Sequence, residues 1–358
     1  VISALTSRSE RDSIPAGRYA PGMGQNATVI GDGGMGTLCA ILLSENGHRV
    51  TLWSAFSDAA AEIAAERENR RYLPGVALPD DLAVTGRDEE AFAGCDLAVC
   101  AVPTQYIRPV WERLRERVPA DMPLVSVAKG IENRTLLRPT RILSDVLDGG
   151  EAGRPLAALS GPSIAPEVAR RLPASVTAAA EDEAFAVRAQ ALFNRPYFRV
   201  YTNTDLAGVE LAGATKNVIA IAAGILDGLE AGANAKAALL TRGLVEITRL
   251  GVSLGARPET FAGLSGMGDL VTTCVSPVGR NRSFGEAVGA GRGGVEDVLA
   301  STRGVVEGVA TTASVVELAG RQGVEMPITE AVHRVIFEGE NPRDAIDDLM
   351  TRPVKPER

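Results

Sequence analysis

Lys216 stands in a run of small and apolar residues, Ala212-Gly213-Ala214-Thr215-Lys216-Asn217-Val218-Ile219. Burying an ammonium group in such surroundings penalises its charged form, so its pKa falls toward neutrality. A lysine tuned that way can give or take a proton at working pH. A second lysine, Lys129, follows an apolar run directly, in Val127-Ala128-Lys129-Gly130-Ile131-Glu132. That places it at the C-terminal edge of a sheet, where ligands bind in doubly wound folds. The segment Leu159-Ser160-Gly161-Pro162-Ser163-Ile164-Ala165 reads as a tight strand-to-helix turn, with N–H and hydroxyl groups that suit an anion.

A fourth candidate is Gly31-Asp32-Gly33-Gly34-Met35-Gly36, a GxGxxG pattern that follows an apolar run and opens a helical one. In that context Gly31 permits the tight turn, Gly33 lets the backbone approach a pyrophosphate, and Gly36 lets helix and strand pack closely. The helix N-terminus then offers unpaired N–H groups and a positive dipole end. The pattern predicts a dinucleotide site, so the expected cofactor is NAD or NADP. The second strand ends Leu52-Trp53-Ser54-Ala55-Phe56, with neither an acid for a ribose hydroxyl nor a base for a 2′-phosphate. The sequence therefore leaves the choice between NAD and NADP open.

These residues need a scaffold. Strands are expected at residues 27–30, 49–53, 97–102, 124–127, 157–159, 175–179 and 198–201, and early helices at 36–46 and 58–70. Strands alternating with helices predict a parallel sheet covered on both faces. After about residue 205 strand signals become scarce, and helices are expected at 206–226, 235–254, 282–290, 308–321 and 328–337. The predicted fold class is α/β, an N-terminal Rossmann-type doubly wound parallel sheet followed by an all-α C-terminal domain. The predicted divisions are a flexible N-terminal extension over 1–26, a dinucleotide-binding domain over 27–204, a helical substrate-binding domain over 205–352 and a tail over 353–358.

The formal net charge of −8 on 358 residues speaks against a nucleic-acid partner. Cys39, Cys95, Cys100 and Cys274 form no CxxC pair and no metal-like cluster with His48 and His333, so buried cysteines and no metal site are expected. His48, in the turn Asn46-Gly47-His48-Arg49, reads as a surface residue. No stretch reads as a membrane span; residues 218–226 are apolar but too short. The first residues lack the apolar core of a signal peptide.

With these motifs in order, the sequence resembles the NAD(P)-dependent glycerol-3-phosphate dehydrogenase family, in its bacterial form. The resemblance runs from about Thr28 to Met350. It includes Tyr72-Leu73-Pro74-Gly75, Ala101-Val102-Pro103, Lys129-Gly130-Ile131-Glu132, Ser160-Gly161-Pro162-Ser163, Val209-Glu210 and Lys216-Asn217-Val218-Ile219-Ala220. It continues through Asn234-Ala235-Lys236-Ala237-Ala238, Gly266-Met267-Gly268-Asp269-Leu270, Arg280-Asn281-Arg282 and Val306-Glu307-Gly308.

The resemblance implies reversible reduction of dihydroxyacetone phosphate to sn-glycerol 3-phosphate, a supply of phospholipid backbone, a cytoplasmic location without membrane insertion, and a homodimer. It implies that Lys216 is the catalytic lysine, Lys129 its partner at substrate and nicotinamide, and Asp269 a substrate-site acid that orients the lysine pair. Gly161 and Ser163 become substrate contacts. Gly34, Met35, Ala165, Val305 and Glu307 become cofactor contacts. Arg280 touches both ligands, and Asn281 binds the phosphate end. Two positions depart from the family pattern. Gly279 replaces a serine whose hydroxyl would meet substrate, and Ala55 replaces an arginine or histidine after the second strand. The alternatives are a related 3-hydroxyacid or ketopantoate-type reductase, which would not need Arg280-Asn281-Arg282, and a non-catalytic dinucleotide-binding sensor.

Overall fold

The computed structural model describes residues 24–150, 153–302, 304–354 and 356. The expected N-terminal extension lies almost wholly outside the described residues, as does part of the expected tail. Eight strands form one sheet: β1 (Asn26–Ile30), β2 (Arg49–Trp53), β3 (Ala83–Thr85), β4 (Leu97–Cys100), β5 (Leu124–Ser126), β6 (Leu156–Ser160), β7 (Ala174–Ala180) and β8 (Phe198–Asn203). Their order is β3-β2-β1-β4-β5-β6-β7-β8. All neighbours pair in parallel except β6 with β7, which are antiparallel, so β7 and β8 run against the first six. The expected parallel sheet holds through β6, and β7 and β8 join it across one antiparallel pairing. The central strands β1, β4 and β5 are nearly continuous runs of buried residues because helices cover both faces. Chain order reverses at β1 and β4, and the crevice beyond their C-terminal ends is where an α/β sheet takes its ligand.

The helices of this half are α1 (Gly34–Glu45), α2 (Ser57–Glu66), α3 (Thr104–Leu114), α4 (Pro139–Asp148), α5 (Ala165–Ala169) and α6 (Glu183–Phe193). Helix α1 buries Leu38, Cys39, Ala40, Ile41, Leu42 and Leu43 in the core on one side of the sheet, while Trp53, Ile107, Trp111 and Leu114 anchor the other. Helix α2 stops at Glu66, four residues before its expected end, because Arg67 turns left-handed (φ 50°) and reaches across to the carbonyls of Leu82 (3.0 Å) and Pro79.

The second half is helical: α7 (Leu206–Gly228), α8 (Gly232–Ser253), α9 (Pro258–Ala262), a π-type turn Leu264–Gly268, α10 (Asp269–Val275), α11 (Arg280–Gly289), α12 (Val295–Ser301), α13 (Glu307–Gln322), α14 (Pro327–His333), a π-type turn Arg334–Glu338 and α15 (Pro342–Met350). Helix α7 is its axis. Asp205 caps it by accepting from the Gly208 N–H at 2.9 Å. Helices α8, α10, α11 and α13 pack around it. At 23 residues it is long and apolar enough to cross a membrane, which corrects the expectation that no stretch qualifies. Its most apolar window is nonetheless buried entirely inside the protein.

Helices α7 and α11 cross in very close contact. A Cβ on Gly224 would stand 2.0 Å from the Arg282 carbonyl oxygen, and one on Gly285 2.1 Å from that of Ile221. Only glycine fits either position, and the approach brings the start of α11 against the middle of α7. His48 also corrects the sequence reading: it is buried, and burial followed by the nearby Arg188 charge lowers its pKa.

Candidate active site

The site has two walls. The first is the turn between β1 and α1. Gly31 has φ 113°, and a Cβ on Gly36 would stand 1.9 Å from the Gly31 carbonyl oxygen, so strand and helix meet without side chains. A Cβ on Gly33 would meet nothing within 4 Å, which marks the open side of the cradle. Helix α1 carries no acid in its first turn and no side-chain cap on its N-terminus. Its first N–H groups are therefore available to an anion. Ala165, at the start of α5, faces Gly34, with 3.9 Å between its Cβ and the place a Gly34 Cβ would take. Met35 is half-buried against the sheet core. A turn without side chains, a free helix N-terminus and an open face fit the pyrophosphate of a dinucleotide.

At the far end of β2, Ser54 is fully buried and Ala55 half-buried. A cation not visible from the sequence arrives here from α3. The Arg113 guanidinium lies 5.3 Å over the Trp53 ring, donates to the Ala55 carbonyl at 3.4 Å, and makes two 2.7 Å bonds to Asp88.

The second wall gathers residues far apart in sequence. Asp269, the first residue of α10, is 2% exposed. Its Oδ2 accepts from Lys129 Nζ at 2.7 Å and its Oδ1 from Lys216 Nζ at 2.6 Å. Lys129 comes from the segment after β5 and Lys216 from α7, so one carboxylate bridges the two halves of the chain. Lys129 Nζ also donates to the Gly161 carbonyl at 3.1 Å, and Lys216 Nζ to Thr273 Oγ1 at 2.6 Å. Burial lowers the Lys216 pKa to about 8, with the Lys129 charge acting the same way and Asp269 opposing both. Burial alone would raise the Asp269 carboxyl, but the two lysines outweigh it and hold it below its usual value.

The remaining expected residues lie around this centre. Gly161 turns with φ 139°, and Ser163 Oγ donates to its carbonyl at 3.1 Å. Gly279 is the N-cap of α11, and Arg280, its first residue, is exposed. No side chain caps this helix. Its leading N–H groups are thus open to an anion. Asn281 is buried and already engaged: its Nδ2 donates to Asn217 Oδ1 at 2.9 Å and its Oδ1 accepts from the Gly308 N–H at 2.9 Å. Asn217 Nδ2 in turn donates to the Lys129 carbonyl at 3.2 Å. Val305 is half-buried just before α13. Glu307 Oε1 accepts from the Thr104 N–H at 3.4 Å, which puts it beside the chain leaving β4. Burial raises its pKa, opposed by the Arg280 charge.

Sequence reasoning missed Thr273 and Asn217 as members of this network. Thr273 could have been found, since it follows Asp269 by four residues on one helix face. Asn217 points to Lys129 only through the tertiary fold.

The N-terminal model of the NAD-dependent glycerol-3-phosphate dehydrogenase family matches residues 26–186, and the C-terminal model matches residues 205–347. The chain belongs to this family. Glycerol-3-phosphate dehydrogenase [NAD(P)+] of Citrifermentans bemidjiense is 49% identical over 335 residues, covering 94% of this chain and 99% of that relative. Among solved structures, glycerol-3-phosphate dehydrogenase from Coxiella burnetii is 36% identical with a TM-score of 0.88, over 92% of this chain and all of that one. The enzyme from Saccharomyces cerevisiae is 28% identical with a TM-score of 0.75, over 90% of this chain and 99% of that one. A ketopantoate reductase from Ralstonia eutropha, at 14% identity and a TM-score of 0.55, shares the fold alone. Membership makes the chain an oxidoreductase that depends on NAD or NADP.

Proposed function

We propose that this chain reversibly reduces dihydroxyacetone phosphate to sn-glycerol 3-phosphate with NADH or NADPH, and that Lys216 transfers the proton. The observation that carries the reading is that one buried carboxylate, Asp269, is bonded to both Lys129 and Lys216. Reduction of a ketone puts negative charge on its oxygen, and a proton donor must meet that charge. Lys216, with its pKa brought to about 8, is charged at neutral pH yet gives up its proton readily. It acts as general acid in the reduction and as general base in the oxidation. Lys129 supplies a second positive charge at the same oxygen. Asp269 fixes both ammonium groups in place.

When bound, the nicotinamide carries the hydride. The turn Gly31–Gly36, Ala165, Val305 and Glu307 hold and orient the dinucleotide. Gly161 and Ser163 contact the substrate. Its phosphate rests on the N-terminus of α11, where Arg280 adds a cation and the backbone N–H groups of 280–282 add donors. Asn281 serves chiefly by locking α11 to Asn217 and to the start of α13. Gly279 supplies no hydroxyl and leaves that contact to backbone N–H. The division between cofactor half and substrate half falls at residues 204–205. The protein works in the cytoplasm without membrane insertion, as a homodimer, and its product feeds phospholipid synthesis.

The test is the loss of absorbance at the reduced-nicotinamide band with dihydroxyacetone phosphate, run with NADH and NADPH side by side. Turnover is expected, and the ratio of the two rates sets the cofactor preference. Folded protein without turnover on either cofactor would overturn the reading.

A further inference from the structure

We propose that Asn69 is the positioning residue of the phosphate-binding turn: it fixes the backbone of Gly31–Gly36 before the cofactor arrives and so sets cofactor affinity. Nothing in the sequence pattern of the turn points to it. It lies 33 residues beyond Gly36 by number, past the end of α2, and is 1% exposed. Both N–H donors of its amide are directed at the turn, and its oxygen accepts from the segment that covers it. Its Nδ2 donates to the Asp32 carbonyl at 2.6 Å and to Thr37 Oγ1 at 2.8 Å, and its Oδ1 accepts from the Tyr72 N–H at 3.1 Å. Thr37 Oγ1 lies 3.4 Å from the same Asp32 carbonyl, so Asp32, Thr37 and Asn69 form a closed triangle.

Two further contacts show what the triangle holds. The Tyr72 carbonyl oxygen would be 2.8 Å from a Gly34 Cβ, so the 69–72 segment lies directly on the turn. Arg67, left-handed at the end of α2, starts the change of course that delivers Asn69 there. A glycine-rich turn has the most conformational freedom to lose on binding a ligand. A turn already ordered in the free protein spares the ligand that loss, and the gain appears as affinity. Asn69 does this through the backbone and through Thr37, without touching the cofactor.

The proposal rests on the reading that the Gly31–Gly36 turn takes the dinucleotide, so the experiment includes a separate probe of that reading. NADH is titrated by fluorescence into the full-length wild-type protein and into Asn69→Ala, Asn69→Asp, Thr37→Val and Gly33→Val. Steady-state kinetics and melting temperatures are measured on the same preparations. Gly33→Val adds atoms only to the open side of the cradle. It keeps the fold and abolishes NADH binding if the turn is the site; normal binding in that variant overturns the site reading itself.

Given that result, Asn69→Ala raises the NADH Kd by about tenfold or more, the scale of losing a buried hydrogen bond. Its kcat at saturating cofactor and its KM for dihydroxyacetone phosphate stay within about twofold of wild type. Asn69→Asp decides between donation and packing. It has the shape of asparagine and keeps the Tyr72 bond, but it presents an oxygen to the Asp32 carbonyl, so it binds at least as weakly as alanine. An Asn69→Asp variant with wild-type affinity, or an Asn69→Ala variant that melts lower yet binds NADH normally, overturns the proposal. Should neither Asn69 variant fold, Thr37→Val, which removes one corner of the triangle at nearly constant volume, decides: a threefold or greater rise in Kd supports it, and no rise overturns it.

Discussion

The two walls of the candidate site are built by opposite means. The turn before α1 offers backbone only: no charged side chain lies among its glycines apart from Asp32. The opposite wall relies on charge, with two lysines and an aspartate withdrawn from water. The first wall is one contiguous stretch, a strand, six residues and a helix, which Asn69 braces from outside. Charge recognition here is long-range, because a buried ammonium needs its counter-ion, and that counter-ion is delivered by a different element. The first wall can be damaged by adding a carbon, the second only by removing a charge.

Substitutions test that contrast. Lys216→Ala is expected to give the largest effect, a loss of about 10³- to 10⁴-fold in turnover of dihydroxyacetone phosphate, with the NADH Kd unchanged in a fluorescence titration. Gly36→Ala should give the converse. Its methyl has no room beside the Gly31 carbonyl, so cofactor binding weakens by about 10²-fold or more in the same titration. If either variant loses both functions equally, the two walls are not separable. Asp269→Ala leaves buried Lys216 and half-buried Lys129 without their counter-ion, with only Thr273 and the Gly161 carbonyl as neutral partners, at about 3–5 kcal/mol of stability, read as a lowered melting temperature. Unchanged melting would mean the lysines are better solvated than their burial implies.

Finer still is the pH profile. Reduction requires Lys216 charged and oxidation requires it neutral. With the pKa at about 8, kcat for reduction should fall as pH rises through that value, and kcat for oxidation should rise over the same range. Parallel profiles in the two directions would remove Lys216 as the proton carrier. The smallest effect is expected at the end of β2. Ala55→Arg should move the NADPH-to-NADH ratio of kcat/KM toward NADPH by about tenfold.

The unequal legibility of the two walls follows from the same contrast. Residues 31–36 announce themselves because Gly31 and Gly36 are required by local geometry, and β1, β2 and the apolar core of α7 are marked by their periodicity. Strand β3, three residues of which only Thr85 is buried, leaves no apolar run. Helix α3 carries an internal proline, Pro109, which hides it from propensity. The reversal of β7 and β8 has no local cause in either strand. Lys129, Lys216 and Asp269 are each readable as unusual residues. Their meeting at one carboxylate is not, because no spacing rule connects 129, 216 and 269, and the resemblance to a family brought them together before the structure did. His48 fails because a polar residue in a turn reads as surface, and Asn69 because it falls inside the helix expected over 58–70; burial of a polar group shows only when its surroundings are known.

Helix α7 carries a consequence for how the chain comes into being. Its counterparts α11 and α13 lie further along the chain, beyond α8 and α10. During synthesis a segment with the apolarity of a membrane span is therefore released before the helices that enclose it have been made, an interval of several seconds at roughly 5–20 residues per second. In that window it is a substrate for chaperones and a nucleus for aggregation. The axis of the finished protein is thus its most vulnerable segment while the chain is being born.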